Sequence, residues 1–327
     1  VTAMPRGIRP MLATAGKPFD SPRHRFEVKW DGIRALAYLE HADFWLETRN
    51  LKPALPRFPE LEALKESIAA RSAILDGEIV VLGDDGSPDF DLVRSRNAQQ
   101  SPHAILAASR ATPAIYIAFD ALYRDGKALF DQPLAARLEQ LEAIVRPGER
   151  ILLSQGVVGA GKAYFQAAAA RNLEGVVGKD LESPYLPGVR SPHWIKVRNV
   201  KQADCVIGGF VPKGSTLIKS LILGLYDRHG HLHYIGHVGT GFTEKENALL
   251  RSALAALETR VAPFAVIPAE ARRGATWVEP RLVCTVEYLT LTAAGHLRHP
   301  TFRRLRADKE PEACLLTSEL EERSAHV

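Results

Sequence analysis

The 327-residue sequence is poor in cysteine: Cys205, Cys284 and Cys314 stand far apart, with no CxxC pair. That spacing argues against a zinc site of the paired-cysteine type and against a disulfide framework, and it points to a reducing compartment. Long apolar runs are also missing; none approaches the roughly 18 residues of a membrane span. Val1 to Pro10 carries no apolar signal core, so a cytoplasmic location is expected. There is no internal repeat and no low-complexity segment. What is present is ordinary for a globular chain, 46% hydrophobic and 24% charged residues, which excludes a disordered or fibrous protein. The length suggests two domains, each large enough to bury a core.

Net charge is small, +4, but unevenly placed. Residues 201–310 hold 15 Lys/Arg against 10 Asp/Glu, and residues 311–327 hold 1 against 4. A mildly basic second half is compatible with a phosphate-bearing partner, and the last 17 residues read as an acidic tail.

The first 200 residues alternate strand-like and helix-like stretches. Phe26–Lys29 and Ile33–Leu39 read as two strands joined at Asp31-Gly32, a dipeptide favoured in tight turns. Phe58, Leu61, Leu64 and Ile68 lie at helical spacing, and 133–145 and 161–171 are further helices. Ala73–Leu82, Ala114–Leu122, Glu174–Asp180 and Trp194–Arg198 read as strands. The mix predicts an α+β domain built on antiparallel sheet over residues 1–200. From 201 to 310 short strand-like runs alternate with glycines around one helix, 243–258, with Thr243 and Glu246 as its capping box. That texture predicts a small β-barrel of the oligonucleotide-binding (OB) type. The histidines at 229, 231, 233 and 237 read as a polar sheet face rather than as ligands.

One segment carries explicit chemistry. Lys29-Trp30-Asp31-Gly32-Ile33-Arg34 is a KxDGxR element between two strand-like runs. Lysine is a poor nucleophile at neutral pH, with an ordinary pKa of about 10.4. Nearby cations disfavour the ammonium form and free its lone pair, so a rigidly presented Lys29 with Arg34 close by suits nucleophilic attack.

With this element in place, the sequence resembles the ATP-dependent DNA ligases of the covalent nucleotidyltransferase superfamily. Further motifs follow in order: Thr48-Arg49-Asn50, Asp76-Gly77-Glu78, Phe119 to Tyr123, the EGxVxK run Glu174 to Lys179, Trp194-Ile195-Lys196-Val197-Arg198, and Arg298 to Lys309 with its RxDK ending. Gly7–Thr14, Val206–Phe210 and Val238–Phe242 are similar to stretches of the bacterial end-joining repair ligases. Two positions depart from the pattern. Arg198 replaces the second lysine of WxKxK, and Thr301 stands where many ligases carry arginine.

The resemblance implies an adenylation domain followed by an OB-fold, and a role for each motif. Lys29 attacks the α-phosphate of ATP and carries AMP. Glu27 accepts from the adenine amino group, and Phe119 stacks on the base. Arg34 and Arg49 contact sugar or phosphate, while Lys179, Arg190, Lys196 and Arg198 surround the phosphates. Glu78 and Glu174 hold Mg²⁺ or Mn²⁺, a hard cation that suits carboxylate and phosphate oxygens. Arg306 and Lys309 face the departing pyrophosphate. The implied reaction seals 5′-phosphate/3′-hydroxyl nicks in double-stranded DNA. A monomer in the bacterial nucleoid is implied, with a Ku-type end-bridging protein as partner. The alternatives are an RNA ligase or a capping-type guanylyltransferase, or a binding-only OB module whose transferase domain is inactive. Retention of Lys29, Glu78 and Glu174 argues against the last.

Overall fold

The computed structural model describes residues 3–316 except 85 and 293. The chain divides into two compact units, Val1–Asn199 and Val200–Val327.

The first unit contains eleven strands among its described residues: β1 Leu12–Ala15, β2 Ser21–Val28, β3 Ile33–Glu40, β4 Asp43–Thr48, β5 Ser72–Val81, β6 Ala114–Arg124, β7 Lys127–Ala128, β8 Ile151–Leu153, β9 Gly156–Gly159, β10 Gly175–Asp180 and β11 Arg190–Arg198. Its helices are α1 Phe90–Ala98, α2 Pro102–Ala111, α3 Leu134–Ile144 and α4 Gly161–Ala170. One sheet runs β1-β11-β10-β2-β9 and the other β4-β3-β5-β6-β7, with β8 beside β6. All pairings are antiparallel except β1 with β11 and β6 with β8.

Successive side chains of a strand face opposite ways, and β3 buries both faces. Leu36 and Tyr38 join Ile74, Phe119 and Trp194 in the layer between the two sheets. Ala35, Ala37 and Leu39 join the core beneath the helices. Burial on both sides accounts for the near-continuous apolar run of this strand.

The hairpin expected at Asp31-Gly32 is not formed. β2 pairs with β9 and β10, whereas β3 pairs with β4 and β5, so Lys29 to Gly32 crosses from one sheet to the other. Gly32 is needed there for close approach, since a Cβ would lie 2.1 Å from the Ile79 carbonyl oxygen. The expected helix over 56–70 is a 3₁₀ turn series, Pro59–Ser67. Its buried residues Phe58, Leu61 and Leu64 recur every third position, the 3₁₀ period. Arg190 starts β11. Pro192 is accommodated by a register shift where β11 meets β1.

A buried ion pair braces α3 against β6. Arg137 and Asp120 are both fully buried and share two bonds, at 2.8 and 2.9 Å. Arg137 also donates to the carbonyls of Gln132 and Ser183. Arg137→Ala leaves the Asp120 carboxylate buried and unpaired, so it should cost roughly 3–5 kcal/mol of stability. Chemical denaturation measures this, and a loss below about 1 kcal/mol, the scale of an exposed pair, would contradict the bracing role.

The second unit orders its strands β14-β13-β12-β16-β15 with β17 beside β16; they are β12 Lys201–Lys213, β13 Leu217–Tyr226, β14 Leu232–Val238, β15 Glu258–Thr259, β16 Thr276–Tyr288 and β17 Thr301–Leu305. Its core includes Val206, Phe210, Leu221, Leu223, Val286 and Phe302. The helix, α5 Glu244–Ala255, starts at the expected capping box: the Thr243 hydroxyl accepts from the Glu246 amide at 3.2 Å, and Glu246 accepts from the Thr243 amide at 2.9 Å. The expected tail from 311 begins later. Cys314 and Leu316 pack in the barrel core and Leu316 donates to the Tyr226 carbonyl; residues 317–327 lie outside the described residues. His229 and His231 are not on the strand; they lie in the turn before β14, around Asp227. Among the described residues no helix is long and apolar enough to cross a membrane.

Candidate active site

A cavity of about 200 Å³ opens in the first unit where the chain passes from β2 to β3. Lys29 stands at this crossing. Its amide donates to the Gly175 carbonyl at 2.9 Å, and its amine is ion-paired with Glu174. Glu27, two residues earlier on β2, also lines the cavity, as do Arg34 and Glu78, which are directly paired between β3 and β5. Arg49 enters from the end of β4, Phe119 from β6, Lys179 from β10, and Arg190 and Lys196 from β11. Six cationic side chains against two carboxylates suit a ligand carrying several negative charges.

Part of the cavity wall is aromatic. Phe119 and Trp194 meet edge-on, with centroids 6.2 Å apart. The Lys179 amine lies 4.3 Å from the Phe119 ring centre and 4.6 Å from that of Trp194, and donates to Glu27 at 2.9 Å. Lys179 therefore braces Glu27 and the aromatic pair. Glu27 is buried; its Oε2 accepts from Lys179 and its Oε1 lies 3.3 Å from the Arg25 guanidinium, so the carboxylate is charge-paired where it lines the cavity. Its oxygens keep lone pairs that can accept a further hydrogen bond from a ligand. An exocyclic amine, such as that of adenine, can donate it.

Arg34 is held by the buried Asp76, with bonds of 2.9 and 2.5 Å, and Asp76 also accepts from Tyr185 at 2.6 Å. Arg190 donates to the Ala13 carbonyl at 2.7 Å. Burial lowers the pKa of Lys196, and Arg198, Arg190 and Lys29 lower it further. Arg198 is half-exposed, lies 3.9 Å from Glu174 and is not among the lining residues. Arg306 and Lys309 belong to the second unit, where both bond to Asp204.

Glu78 and Glu174 are the carboxylates expected to hold a metal. Among the described residues no group of three or more His, Cys, Asp or Glu side chains could hold one by itself. Two carboxylates beside a polyphosphate site are nonetheless an ordinary donor set for Mg²⁺ or Mn²⁺, which keep waters and phosphate oxygens as further ligands. Burial pushes the Glu78 carboxyl up to about 8, against relief from Lys29 and Arg34 and with a smaller upward push from Glu174. A carboxyl raised in the fold favours the native state while protonated. That contribution is lost as pH rises from its ordinary 4.5 through about 8. In chelator and without nucleotide, the stability of the wild type should therefore fall relative to Glu78→Gln across that window. Thermal melts at pH 5 and pH 9 check this, and a constant offset between the two proteins would contradict it.

Trp194 as a cavity wall, and Asp76 and Tyr185 behind Arg34, have no assigned role in the sequence reading. Trp194 was accessible to it: Trp194 and Lys196 alternate on one strand and so share a face. Asp76 and Tyr185 are brought together only by the fold.

A lysine held where the chain crosses between two sheets, beside a cation-lined cavity with an aromatic wall, suits covalent nucleotidyl transfer. Residues 10–198 match the ATP dependent DNA ligase domain and residues 214–309 the ATP dependent DNA ligase C terminal region. The chain belongs to the ATP-dependent DNA ligases. It is 36% identical to the multifunctional non-homologous end joining protein LigD of Mycolicibacterium smegmatis, over 95% of this chain and 40% of that protein. It is also 32% identical to DNA ligase C1 of the same organism, over 94% of this chain and 92% of the relative. A solved structure of a mycobacterial DNA ligase D complexed with ATP and MES superposes with a TM-score of 0.55 at 34% identity, covering 95% of this chain and 98% of the other. The chain spans about 40% of the length of the LigD relatives.

Proposed function

We propose that the chain seals nicks in double-stranded DNA that carry a 5′-phosphate beside a 3′-hydroxyl, using ATP, through AMP carried on Lys29. The observation that carries this reading is the placement of Lys29 at the sheet crossing, among the cations of one cavity. In the first step the Lys29 amine attacks the α-phosphorus; an N–P bond forms, the bond to the bridging oxygen breaks and pyrophosphate leaves. Phosphoryl transfer of this kind depends on positioning and charge neutralisation, which Arg34, Arg49, Arg190 and Lys196 supply. AMP then moves to the 5′-phosphate, and the 3′-hydroxyl displaces it. Glu27 selects the adenine amino group, and Phe119 and Trp194 flank the base.

Glu78 and Glu174 would hold Mg²⁺ or Mn²⁺. Such an ion would supply positive charge beside Lys29, and a nearby cation disfavours the ammonium form of its amine. Arg306 and Lys309 act on the first step, by neutralising the leaving pyrophosphate, and the second unit serves as the OB-fold domain. An end-joining context with a Ku-type partner, a monomeric state and a cytoplasmic, nucleoid-associated location complete the proposal. Of these, the end-joining context is supported by the LigD relatives.

Sealing assays with nicks of all-DNA or RNA-containing strands, run with ATP or GTP, test the reading. Sealing of DNA nicks with ATP is expected. A requirement for GTP, or for RNA strands, would move the chain to the capping or RNA-ligase reading.

A further inference from the structure

Asp204 belongs to none of the ligase motifs, yet it bonds to both cations of the RxDK segment. It lies on β12 directly opposite Thr285 of β16. The Thr285 hydroxyl donates to Asp204 Oδ1 at 2.6 Å. The other oxygen, Oδ2, accepts from Arg306 at 2.8 Å and from the Lys309 amine at 3.0 Å. A carboxylate tied by one oxygen across the strand ladder cannot rotate without breaking that bond, so the aim of the second oxygen is fixed.

Two cations on long side chains repel one another and populate many rotamers. A shared, anchored carboxylate opposes both tendencies. The side chains of Asp204, Arg306 and Lys309 are 18%, 23% and 28% exposed, so this is not a freely solvated surface pair of negligible effect. Asp308 takes the other edge of the guanidinium, at 2.8 and 2.9 Å, and the Arg306 amide is tied to the Val283 carbonyl. Guanidinium carries five N–H groups and ammonium three, so the bonds named leave donors on both cations for phosphate oxygens.

We propose that Asp204, anchored by Thr285, is a positioning residue that holds Arg306 and Lys309 side by side as one two-cation clamp for the leaving pyrophosphate. The proposal rests on the function given above and adds a residue to it. The opposing possibility is that Asp204 merely neutralises the two cations, and it predicts an effect of opposite sign.

The test measures single-turnover self-adenylylation with α-labelled ATP and, separately, sealing of a pre-adenylylated nick. The variants are Asp204→Ala, Asp204→Asn, Thr285→Val, Arg306→Ala and the double variant Asp204→Ala/Arg306→Ala. Asp204→Ala should slow adenylylation roughly ten- to a hundredfold, the scale of a misplaced charge contact, and affect the nick far less. Asp204→Asn, which keeps an acceptor and the side-chain shape, and Thr285→Val should fall between it and the wild type. The double variant should be no slower than Arg306→Ala alone, because residues acting through one another are not additive. Adenylylation by Asp204→Ala at or above the wild-type rate would show that the carboxylate only neutralises the cations. Additive effects in the double variant, or equal loss of both steps with a lowered melting temperature in Asp204→Asn, would reduce Asp204 to a structural role. Normal adenylylation by Arg306→Ala would instead overturn the reading of the RxDK segment on which the proposal stands.

Discussion

Lys29→Ala should abolish covalent labelling by ATP and with it all sealing that starts from ATP. No other lysine can take over at the same position. Of the cavity's other lysines, Lys179 is buried against Glu27 and two aromatic rings, and Lys196 is fixed on β11, two strands from β2 in the same sheet. Covalent catalysis splits one difficult transfer into two steps, and removing the nucleophile removes the first outright. A nick supplied already adenylylated bypasses that step, so Lys29→Ala should retain measurable sealing there. Gel analysis of the labelled protein provides the measurement. Any covalent AMP adduct on the variant, including an acid-labile, alkali-stable phosphoramidate on another lysine, would show that the nucleophile lies elsewhere.

The second large effect is expected at the two carboxylates. Glu174 is ion-paired with Lys29, and this creates opposing expectations for its removal. If Glu174 only restrained the lysine, Glu174→Ala would free the amine from an anion that favours its charged form, and labelling would accelerate. If Glu174 holds a divalent cation with Glu78, the variant loses that cation's charge and labelling collapses. The second outcome is expected, by roughly 10²- to 10³-fold, the range for losing a principal electrostatic stabiliser of a transition state. Glu78→Ala should behave likewise, since it removes the other carboxyl that would share the ion. Rates across a Mn²⁺ or Mg²⁺ titration separate the cases. Partial rescue at high metal supports shared ligation, whereas faster labelling by Glu174→Ala at every metal concentration would exclude it.

Much of the site was legible in the sequence because its residues lie in short local patterns. Trp194 and Lys196 alternate on one strand, so spacing alone assigns them to a face, and Glu27, on β2, lies two residues before Lys29, just past the end of that strand. Pairing between distant strands was not legible. Glu27 is opposite Gly156 and Val177, and nothing near Asp31-Gly32 shows that β2 and β3 leave for different sheets. The same limit hid Asp76 and Tyr185 behind Arg34, and Asp204 beneath Arg306 and Lys309.

Helices α1 and α2 were missed for a different reason. Each is short and buries only two side chains, one of them polar: Val93 and Arg96 in α1, Ile105 and Ser109 in α2. Their signals are the caps: Asp89 accepts from the amides of Asp91 and Leu92, and Ser101 from that of Ala104. The 3₁₀ segment at Pro59–Ser67 carried its true period in Phe58, Leu61 and Leu64, spacing by three that also satisfies a helical template.

The most direct test of the account is to incubate the unaltered chain with α-labelled ATP and a divalent metal, digest it and locate the modified peptide by mass spectrometry. Lys29 should carry a single AMP, and the label should be released on addition of nicked 5′-phosphorylated DNA as the strands join. An adduct on another residue, or label that stays on the protein while the nick remains open, would contradict it.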